Sequence, residues 1–186
     1  ARHQKLQNLI LQKKNEELKA AIAMQTLLRR KAQTDSLTGL KNKSTTEELC
    51  RTCLEHAQGD ICALFILDLD NFKHINDERG HQAGDVVLRA FGDTIHKCVR
   101  QDDVAGRIGG DEFAVFARDA LDENVIRNRC RQITARLAEI DSPNGYRISV
   151  SMGISFYPRH GKDYPTLFSH ADAALYHLKK HRGKGG

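Results

Sequence analysis

The sequence predicts an α+β fold in which helices pack on a mostly antiparallel sheet. An uninterrupted apolar run at 61–67 is typical of a central strand that is buried on both faces. Two adjacent glycines, Gly109 and Gly110, indicate a tight hairpin turn in which the backbone adopts positive φ. Residues 146–156 alternate between apolar and polar side chains, which predicts a half-buried strand. Amphipathic segments separate these strands, and this order favours helices packed around one sheet.

Apolar residues at helical spacing predict the helices of this fold. A cap at Asn42 or Ser44 starts the first, and a break at Gly80 separates the second from the third. The helices are expected at about 42–57, from 72 to the glycine break, from there to about 99, at 123–140 and at 164–181. Turns are expected at 58–60, 142–145 and 158–161.

Composition and cysteine usage are those of an ordinary globular protein. Of 186 residues, 40% are hydrophobic and 28% are charged, and no apolar run reaches membrane-spanning length. The five cysteines are odd in number and lie within apolar patterns, so reduced thiols in the cytoplasm are expected. Cys50 and Cys53 form a C-x-x-C motif near His56. No second ligand pair stands at zinc spacing, and we interpret them as helix cysteines.

The positive charge belongs to the first segment of the chain. The formal net charge is +5, but residues 1–33 carry eight Lys and Arg against two Glu, a net of +6, and the remainder carries −1. A nucleic-acid-binding surface would need basic residues on the globular part, with aromatic side chains among them. We therefore expect no nucleic-acid partner, and no membrane contact by this fragment.

Residues 1–33 predict a long helix, because they contain no Gly or Pro and many good helix formers. A heptad seam, interrupted by polar residues, is formed by Leu11, Leu18, Gln25, Lys14, Ala21 and Leu28. We favour a stalk that pairs with a second copy of the chain. The alternative is an amphipathic helix that folds back on its own domain.

Two acidic clusters point to a divalent cation. Asp68 and Asp70 end the buried run, where a carboxylate is costly unless something pairs with it. Asp111 and Glu112 follow the glycine turn, which lets a phosphate-bearing ligand approach the backbone closely. If the two strands are neighbours, these acids form the seat of a metal-assisted phosphoryl-transfer site. The structural alternative for Asp70 is a helix cap.

Several separated motifs resemble those of the GGDEF domain family, bacterial diguanylate cyclases that condense two GTP molecules into cyclic di-GMP. They are Asp35-Ser-Leu-Thr-Gly-Leu40, Leu67-Asp-Leu-Asp-Asn-Phe-Lys73, Asn76-Asp77, Gly80-His81, Gly84-Asp85, Gly109-Gly-Asp-Glu-Phe113, and Ala171-Asp172 with Ala174-Leu-Tyr176 and Lys179. The resemblance implies the palm-like fold of nucleotidyl cyclases and polymerases over 34–182, preceded by a signalling helix at 1–33. The tail at 183–186 is expected to be disordered.

The resemblance implies a site for Mg²⁺ (or Mn²⁺). Its ligands would be Asp68, the carbonyl of Leu69 and Asp111, with Glu112 beside a second cation. Asp111 is also a candidate acceptor of the hydroxyl proton. Asp111, Glu112 and Lys73 form the implied catalytic set, in which Lys73 neutralises charge that develops on the phosphates.

The same resemblance implies a GTP site. Asn76 and Asp85 would read the guanine, and a carboxylate can accept both from its N1–H and from its exocyclic amine. Backbone N–H groups around Asn71 and Phe72 would cradle the phosphates.

The end of the matched region departs from the family pattern, which usually closes with Lys-x-x-Gly-Arg and directs both basic side chains to the triphosphate. Lys179 is present, but Gly183 stands where the arginine is expected. Arg182 or Lys184 is expected to substitute, with a weaker affinity for GTP as a consequence.

Arg100 and Asp103 match the R-x-x-D inhibitory motif of the family, placed just before the glycine turn. The resemblance implies that Arg100 binds a phosphate or stacks on a base of the product, and that Asp103 accepts from the base. We favour this over an ordinary ion pair at a helix end. Arg127, Arg129 and Arg131 remain alternatives for the second half of the site.

The resemblance thus predicts a dimeric, product-inhibited diguanylate cyclase that uses GTP and releases pyrophosphate. We expect a cytoplasmic domain controlled by an upstream sensor, and a membrane-anchored parent protein is compatible with this. The alternative function is a catalytically weak domain that acts as a receptor for GTP or cyclic di-GMP. A different nucleotidyl cyclase is disfavoured, because Asn76 and Asp85 suit guanine.

Overall fold

The computed structural model of the chain describes residues 2–57, 60–120, 122–140 and 148–182. The chain divides into two compact units, 1–34 and 35–186. Several sequence-based predictions lie outside the described residues: the tail at 183–186, most of the turn at 58–60, the turn at 142–145, and the beginning of the last strand, Tyr146 and Arg147.

The first unit is a single helix, α1 (Arg2–Gln33), which confirms the long helix predicted for this segment. Its large apolar side chains are about half exposed; they include Ile10, Leu11, Leu18, Ile22, Met24, Leu27 and Leu28. Exposed apolar side chains at this spacing suit a paired helix. The pairing itself stays a prediction.

The second unit is built on a four-stranded antiparallel sheet, which confirms the predicted fold class. The strands are β1 (Ile61–Leu69), β2 (Val104–Arg107), β3 (Glu112–Ala120) and β4 (Val150–Tyr157). Their order in the sheet is β2–β3–β1–β4, and each neighbouring pair is antiparallel. The central strand β1 is buried along nearly its whole length, as its apolar run predicts.

Helices cover both faces of this sheet. They are α2 (Lys43–His56), α3 (Phe72–Arg79), α4 (His81–Cys98), α5 (Glu123–Ala138) and α6 (Tyr164–Arg182). The core against α3, α4 and α5 includes Phe65, Phe91, Phe113, Ile126 and Ile133. The core against α2 and α6 includes Leu54, Leu64, Phe116, Leu167 and Leu175. Of the two candidate caps of α2, Asn42 is the cap: its side chain accepts a hydrogen bond from the backbone of Thr45 at 3.0 Å.

The last strand is covered on both faces, so the prediction of a half-buried strand was wrong. Ser151 and Ser155, on the face expected to be open, are fully buried. A Cβ at Gly153 would lie 1.9 Å from the backbone oxygen of Ala171 in α6. Small side chains on this face therefore allow α6 to approach the sheet closely. Period-2 alternation shows that one face of a strand carries apolar side chains and the other carries polar ones. It does not show whether a helix covers the polar face.

Cys50 of the C-x-x-C motif is buried in α2, and this burial raises the pKa of its thiol far above the usual value.

In the described part of the chain, no helix combines the length and apolarity needed to cross a bilayer.

Candidate active site

The two acidic clusters meet at one edge of the sheet, where β1 ends and β3 begins. In the antiparallel register, Asp68 of β1 stands opposite Glu112 of β3. The backbone N–H of Leu69 donates to the carbonyl of Asp111 at 3.2 Å. The strands that carry the acids are therefore neighbours, as the hypothesis of a shared site requires.

The glycine turn is closed by backbone hydrogen bonds to Glu112. The N–H groups of Ile108 and Gly109 both donate to the carbonyl of Glu112, at 2.9 and 3.3 Å. Neither Gly109 nor Gly110 has positive φ, so that part of the turn prediction was wrong. A Cβ at position 109 would lie 2.5 Å from Oε2 of Glu112, so a larger residue there would displace the Glu112 carboxylate.

Two of the acids at this edge, Asp68 and Glu112, have raised pKa values. Burial raises the pKa of Asp68, and the charges of Asp111 and Asp70 raise it further against the opposing effect of Lys179. Burial also raises the pKa of Glu112, with the charges of Asp68 and Asp111 acting in the same direction. Negative charge is thus in excess at this edge of the sheet.

A cavity of about 390 Å³ opens beside these acids. Its polar lining residues are Asp68, Glu112, Asp172, Tyr176, His177 and Lys179. The ammonium group of Lys179, in α6, contacts the carboxylate of Asp68. The structure therefore brings Lys179 to the predicted metal ligand.

The donor set suits a hard divalent cation. Carboxylate and carbonyl oxygens are the ligands that Mg²⁺ prefers, and three acids of the cavity face one lysine. Within the described ranges, no three His, Cys, Asp or Glu side chains already converge on one point. The residues fit such a cation by charge and donor type.

The loop between β1 and α3 is anchored to β4 through Asp70. The carboxylate of Asp70 accepts hydrogen bonds from the hydroxyls of Ser149 and Ser151, at 2.8 and 2.6 Å. Its backbone N–H donates to the carbonyl of Ser149 at 2.9 Å. The alternative of Asp70 as a helix cap was wrong, since Asn71 occupies the cap position of α3.

The first turn of α3 is open to an anion. Asn71 has a left-handed φ of 58°, and its side chain makes no capping hydrogen bond. Phe72 packs against the core with part of its surface, and Lys73 is exposed. Uncapped N–H groups at a helix N-terminus suit phosphate oxygens.

Asn76, one of the two residues predicted to read guanine, lies where α3 and α4 approach each other. Its Oδ1 atom is buried and has no hydrogen-bond partner among the described residues. A Cβ at Gly84 would lie 2.0 Å from that atom, so a larger residue at position 84 would displace the Asn76 amide. Asp85 follows in α4 and is partly buried. An orphaned buried acceptor can receive a donor from a ligand.

In the R-x-x-D motif, Arg100 is exposed and Asp103 is buried. The side chain of Asp103 is only 1% exposed and contacts the guanidinium group of Arg129, in α5. Its carboxylate also accepts from the backbone N–H groups of Arg100 at 2.7 Å and Arg118 at 3.2 Å. Asp103 therefore ties this loop to β3 and α5.

Of the three arginines left open by the sequence, Arg129 is the one beside the R-x-x-D motif. Arg127 lies over the ring of Phe156, with 5.1 Å between its guanidinium carbon and the ring centroid. Arg131 donates to Asn128 within α5 at 3.1 Å.

Sequence reasoning missed two contributions. Asp172 lines the cavity, although it lies within a motif that carried the resemblance. Arg107 and Asp35 form an ion pair of 3.3 Å that joins distant parts of the chain. Two features of the sequence could have indicated this ion pair: Arg107 lies just before the glycine turn, and Asp35 lies at the start of the matched region.

Arg182 ends α6, and its side chain lies outside what the structure describes, as does Gly183.

Comparison with known proteins decides the family. The model of the diguanylate cyclase GGDEF domain matches residues 32–185. The chain belongs to the GGDEF domain family. The match covers nearly all of the second unit, including both acidic clusters.

Curated relatives of this GGDEF domain carry two kinds of name. PdeR of Escherichia coli K12, named a cyclic di-GMP phosphodiesterase, is 38% identical over 159 residues, which are 84% of this chain and 24% of that protein. DgcS of Shewanella oneidensis MR-1, named a diguanylate cyclase, is 34% identical over 151 residues, 80% of this chain and 50% of that protein. The chain thus spans a quarter to a half of the length of these relatives.

A solved structure matches both the helix and the GGDEF domain. It is the coiled coil and GGDEF domain of DgcB from Caulobacter crescentus in complex with c-di-GMP. The TM-score is 0.78 at 27% identity, and the match covers 92% of this chain and 93% of that chain.

Proposed function

We propose that this GGDEF domain is a diguanylate cyclase that condenses two GTP molecules into cyclic di-GMP and releases two pyrophosphates. The observation that carries the proposal is the pairing of Asp68 with Glu112 at the edge that also bears Asp111, where burial and mutual repulsion raise the pKa values of Asp68 and Glu112. A cluster of acids that outnumbers its single lysine, beside an open cavity, suits a cation-assisted phosphoryl-transfer site.

In this proposal the acidic edge holds Mg²⁺ or Mn²⁺ through Asp68, the Leu69 carbonyl, Asp111 and Glu112. When bound, the cation neutralises charge on the triphosphate. Lys179 contacts Asp68 in the present structure, and we expect its ammonium group to turn toward a phosphate when GTP binds. Arg182 is the proposed second basic group at the triphosphate.

The remaining residues bind and orient GTP. The N–H groups around Asn71 and Phe72 would receive phosphate oxygens, with Lys73 as an exposed cation close in sequence. Asn76 would accept a donor of guanine through its orphaned Oδ1, and Asp85 would accept the N1–H and the amine.

The proposed reaction joins two such sites. The 3′ oxygen of one GTP attacks the α-phosphorus of the other, the bond to the β-phosphate oxygen breaks, and pyrophosphate leaves. Asp111 is the proposed acceptor of the hydroxyl proton. Since each domain offers one GTP site, two domains must face each other, and a second transfer in the opposite direction closes the ring.

Product feedback is proposed at the R-x-x-D motif. Arg100 is exposed and free to receive a phosphate or stack on a base, while Asp103 and Arg129 hold the loop in place. The DgcB structure in complex with c-di-GMP supports binding of this product by a related domain.

We also propose that α1 pairs with a second copy and passes the state of an upstream sensor to the GGDEF domain. The similarity to a coiled-coil GGDEF structure and the exposed apolar side chains of α1 support this. A cytoplasmic location is proposed because the GTP substrate is available there. A variant lacking residues 1–33 that dimerises and turns over like the full chain would contradict the role of α1.

The function is tested by incubating the protein with GTP and Mg²⁺ and separating the nucleotides. We expect cyclic di-GMP from the wild type and a loss of at least about 1,000-fold in Asp111→Ala, because several kcal/mol of charge stabilisation would be removed. Asp93→Asn is the matched control, since Asp93 is an exposed acid of α4 away from the cavity.

The second candidate is a domain that binds GTP or cyclic di-GMP as a receptor without forming product. The similarity to PdeR supports it, because that relative is named a phosphodiesterase and not a cyclase. It predicts that the wild type forms no cyclic di-GMP but binds GTP or cyclic di-GMP saturably, as measured by calorimetry. That result would overturn the proposed enzyme activity.

A further inference from the structure

Arg107 makes an unusual set of contacts for a residue outside the acidic cluster. It is the last residue of β2, and its side chain is 16% exposed. Its Nε and Nη2 atoms both donate to the carbonyl oxygen of Gly110, at 3.1 and 2.7 Å. Its Nη1 atom lies 3.3 Å from both carboxylate oxygens of Asp35. One guanidinium group thus joins the glycine turn to a residue 72 positions earlier in the chain.

The carbonyl of Gly110 belongs to the peptide that leads into Asp111. The neighbouring carbonyl groups are held by the sheet, since that of Asp111 accepts from Leu69 and that of Glu112 accepts from Ile108. No described atom lies within 4 Å of the position that a Cβ would occupy at Gly110. Packing therefore does not restrict this glycine, whose backbone is intrinsically free to rotate. In the part of the chain that the structure describes, the double hydrogen bond from Arg107 restrains the peptide before Asp111.

Asp35 in turn holds the guanidinium group in this orientation. Its Oδ1 atom also accepts from the backbone N–H and the hydroxyl of Thr38, at 2.9 and 2.7 Å. The short loop is closed by backbone hydrogen bonds from Asp35 to Leu40 at 2.8 Å and from Gly39 to Asp35 at 2.9 Å. Burial alone would raise the pKa of Asp35, but the Thr38 hydrogen bonds and the Arg107 guanidinium hold it below the usual value. The carboxylate is therefore charged at neutral pH and keeps its pairing with Arg107.

The backbone strengthens the same connection. The N–H of Lys41 donates to the carbonyl of Ala105 at 3.1 Å, and the N–H of Arg107 donates to the carbonyl of Lys41 at 2.9 Å. The segment 35–41 thus supports both the main chain and the side chain of Arg107. A residue fixed on two sides can set the direction of a flexible turn.

We propose that Arg107 is a positioning residue for the reaction, which holds the Gly110–Asp111 peptide so that Asp111 points to the edge shared by Asp68 and Glu112, and that Asp35 holds Arg107. This rests on the proposed cyclase activity. A misplacement of about 1 Å of a reacting group costs about 100-fold in rate, so the effect should fall on turnover.

The test compares Arg107→Ala, Arg107→Lys and Asp35→Asn with the wild type. We expect kcat for cyclic di-GMP formation to fall about 100-fold in Arg107→Ala, with KM for GTP changed by less than about threefold. Arg107→Lys keeps the charge but not the planar fork, and Asp35→Asn keeps the shape but not the charge, so both should lose about 10-fold. Arg51→Ala, which breaks an exposed ion pair with Glu47 in α2, is the control for ordinary loss of an arginine.

A second readout does not depend on activity. Amide hydrogen exchange of residues 109–112, measured by mass spectrometry, should be faster in Arg107→Ala than in the wild type and unchanged in Arg51→Ala. If the wild type makes no product, the proposed cyclase fails, and the exchange data alone decide whether Arg107 holds the turn.

Three results would overturn the inference. One is a kcat in Arg107→Ala within threefold of the wild type. Another is a loss of kcat that disappears when variants are compared at equal fractions folded, which would make the role purely structural. The third is exchange at 109–112 as slow as in the control. Should Arg107→Ala fail to fold, the two conservative variants are judged by the same criteria.

Discussion

Four buried or partly buried carboxylates of the GGDEF domain form two sets with opposite surroundings. Asp35 and Asp103, the tied carboxylates, accept hydrogen bonds from backbone N–H groups and face the guanidinium groups of Arg107 and Arg129. Asp68 and Glu112, the open carboxylates, face each other and further acids beside a cavity. The tied set joins loops to the sheet, whereas the negative charge of the open set is only partly compensated, by Lys179.

The difference between the two sets shows which carboxylates reduce the stability of the domain. The pKa of Asp35 lies below its usual value, whereas the pKa values of Asp68 and Glu112 lie above theirs. Groups that resist ionisation in the folded state destabilise it at neutral pH. Functional sites commonly carry such a cost, which a bound ligand offsets.

The largest expected effect on stability comes from removing a tied carboxylate. Asp103→Ala leaves Arg129, which is 13% exposed, without its counter-charge, and leaves two backbone N–H groups without their acceptor. We expect the free energy of unfolding to fall by about 3 kcal/mol, as for other broken buried pairs. Urea denaturation would measure this. Asp102→Ala, the exposed neighbour, should change it by less than about 0.5 kcal/mol; equal effects would contradict the comparison.

Arg100→Ala separates ligand binding from support of the loop. Its side chain is exposed, so stability should change by less than about 0.5 kcal/mol. A charge-assisted hydrogen bond to a product phosphate is worth about 1.5–3 kcal/mol, so the inhibition constant for cyclic di-GMP should rise at least about 10-fold. Inhibition assays at several product concentrations would measure it, with Arg131→Ala as the exposed control. Unchanged inhibition would remove Arg100 from the product site.

Neutralising an open carboxylate should stabilise the metal-free domain. Glu112→Gln removes repulsion from Asp68 and Asp111, and we expect a gain on the order of 0.5 kcal/mol, because the group is partly solvated. The same variant should lose most of the stabilisation that Mg²⁺ and a non-hydrolysable GTP analogue confer on the wild type. Thermal unfolding with EDTA and with the ligands would test both parts. A loss of stability in EDTA would show that Glu112 is tied as well.

The smallest expected effect is a difference in pH dependence between the two sets. The pKa of Asp35 is lowered from 3.8, so its contribution is full above that pH and is lost as the pH falls through the folded value. The pKa of Glu112 is raised from 4.5, so the folded domain is favoured below that pH, and this is lost as the pH rises through the folded value.

Urea denaturation in EDTA at pH values from about 2.5 to 7 would measure this difference, because the contribution of Asp35 changes below its ordinary pKa of 3.8 and that of Glu112 changes above its ordinary pKa of 4.5. With rising pH, the wild type should gain stability relative to Asp35→Asn and lose stability relative to Glu112→Gln. Slopes of the same sign for both variants would contradict the division into tied and open carboxylates.

Local patterns in the sequence predicted most elements of the fold. The apolar run of β1, the stripes of the helices and the glycine turn are properties of neighbouring residues, and each appears in the structure near its expected position. The prediction failed for the open face of β4, because Ser151 and Ser155 are polar but small, and their burial depends on α6. It also misjudged Asp70, whose partners are serines about 80 residues away.

By itself, the sequence determined the family, the elements and the presence of acids at the end of β1 and after the glycine turn, since these follow from short-range patterns and motifs. Only the tertiary structure decided that Asp68 stands opposite Glu112, that Arg129 rather than Arg127 or Arg131 meets Asp103, and that Arg107 is held by Asp35. These contacts join residues far apart in the chain. They depend on strand register and on which helix face meets the sheet, and no local pattern carries that information.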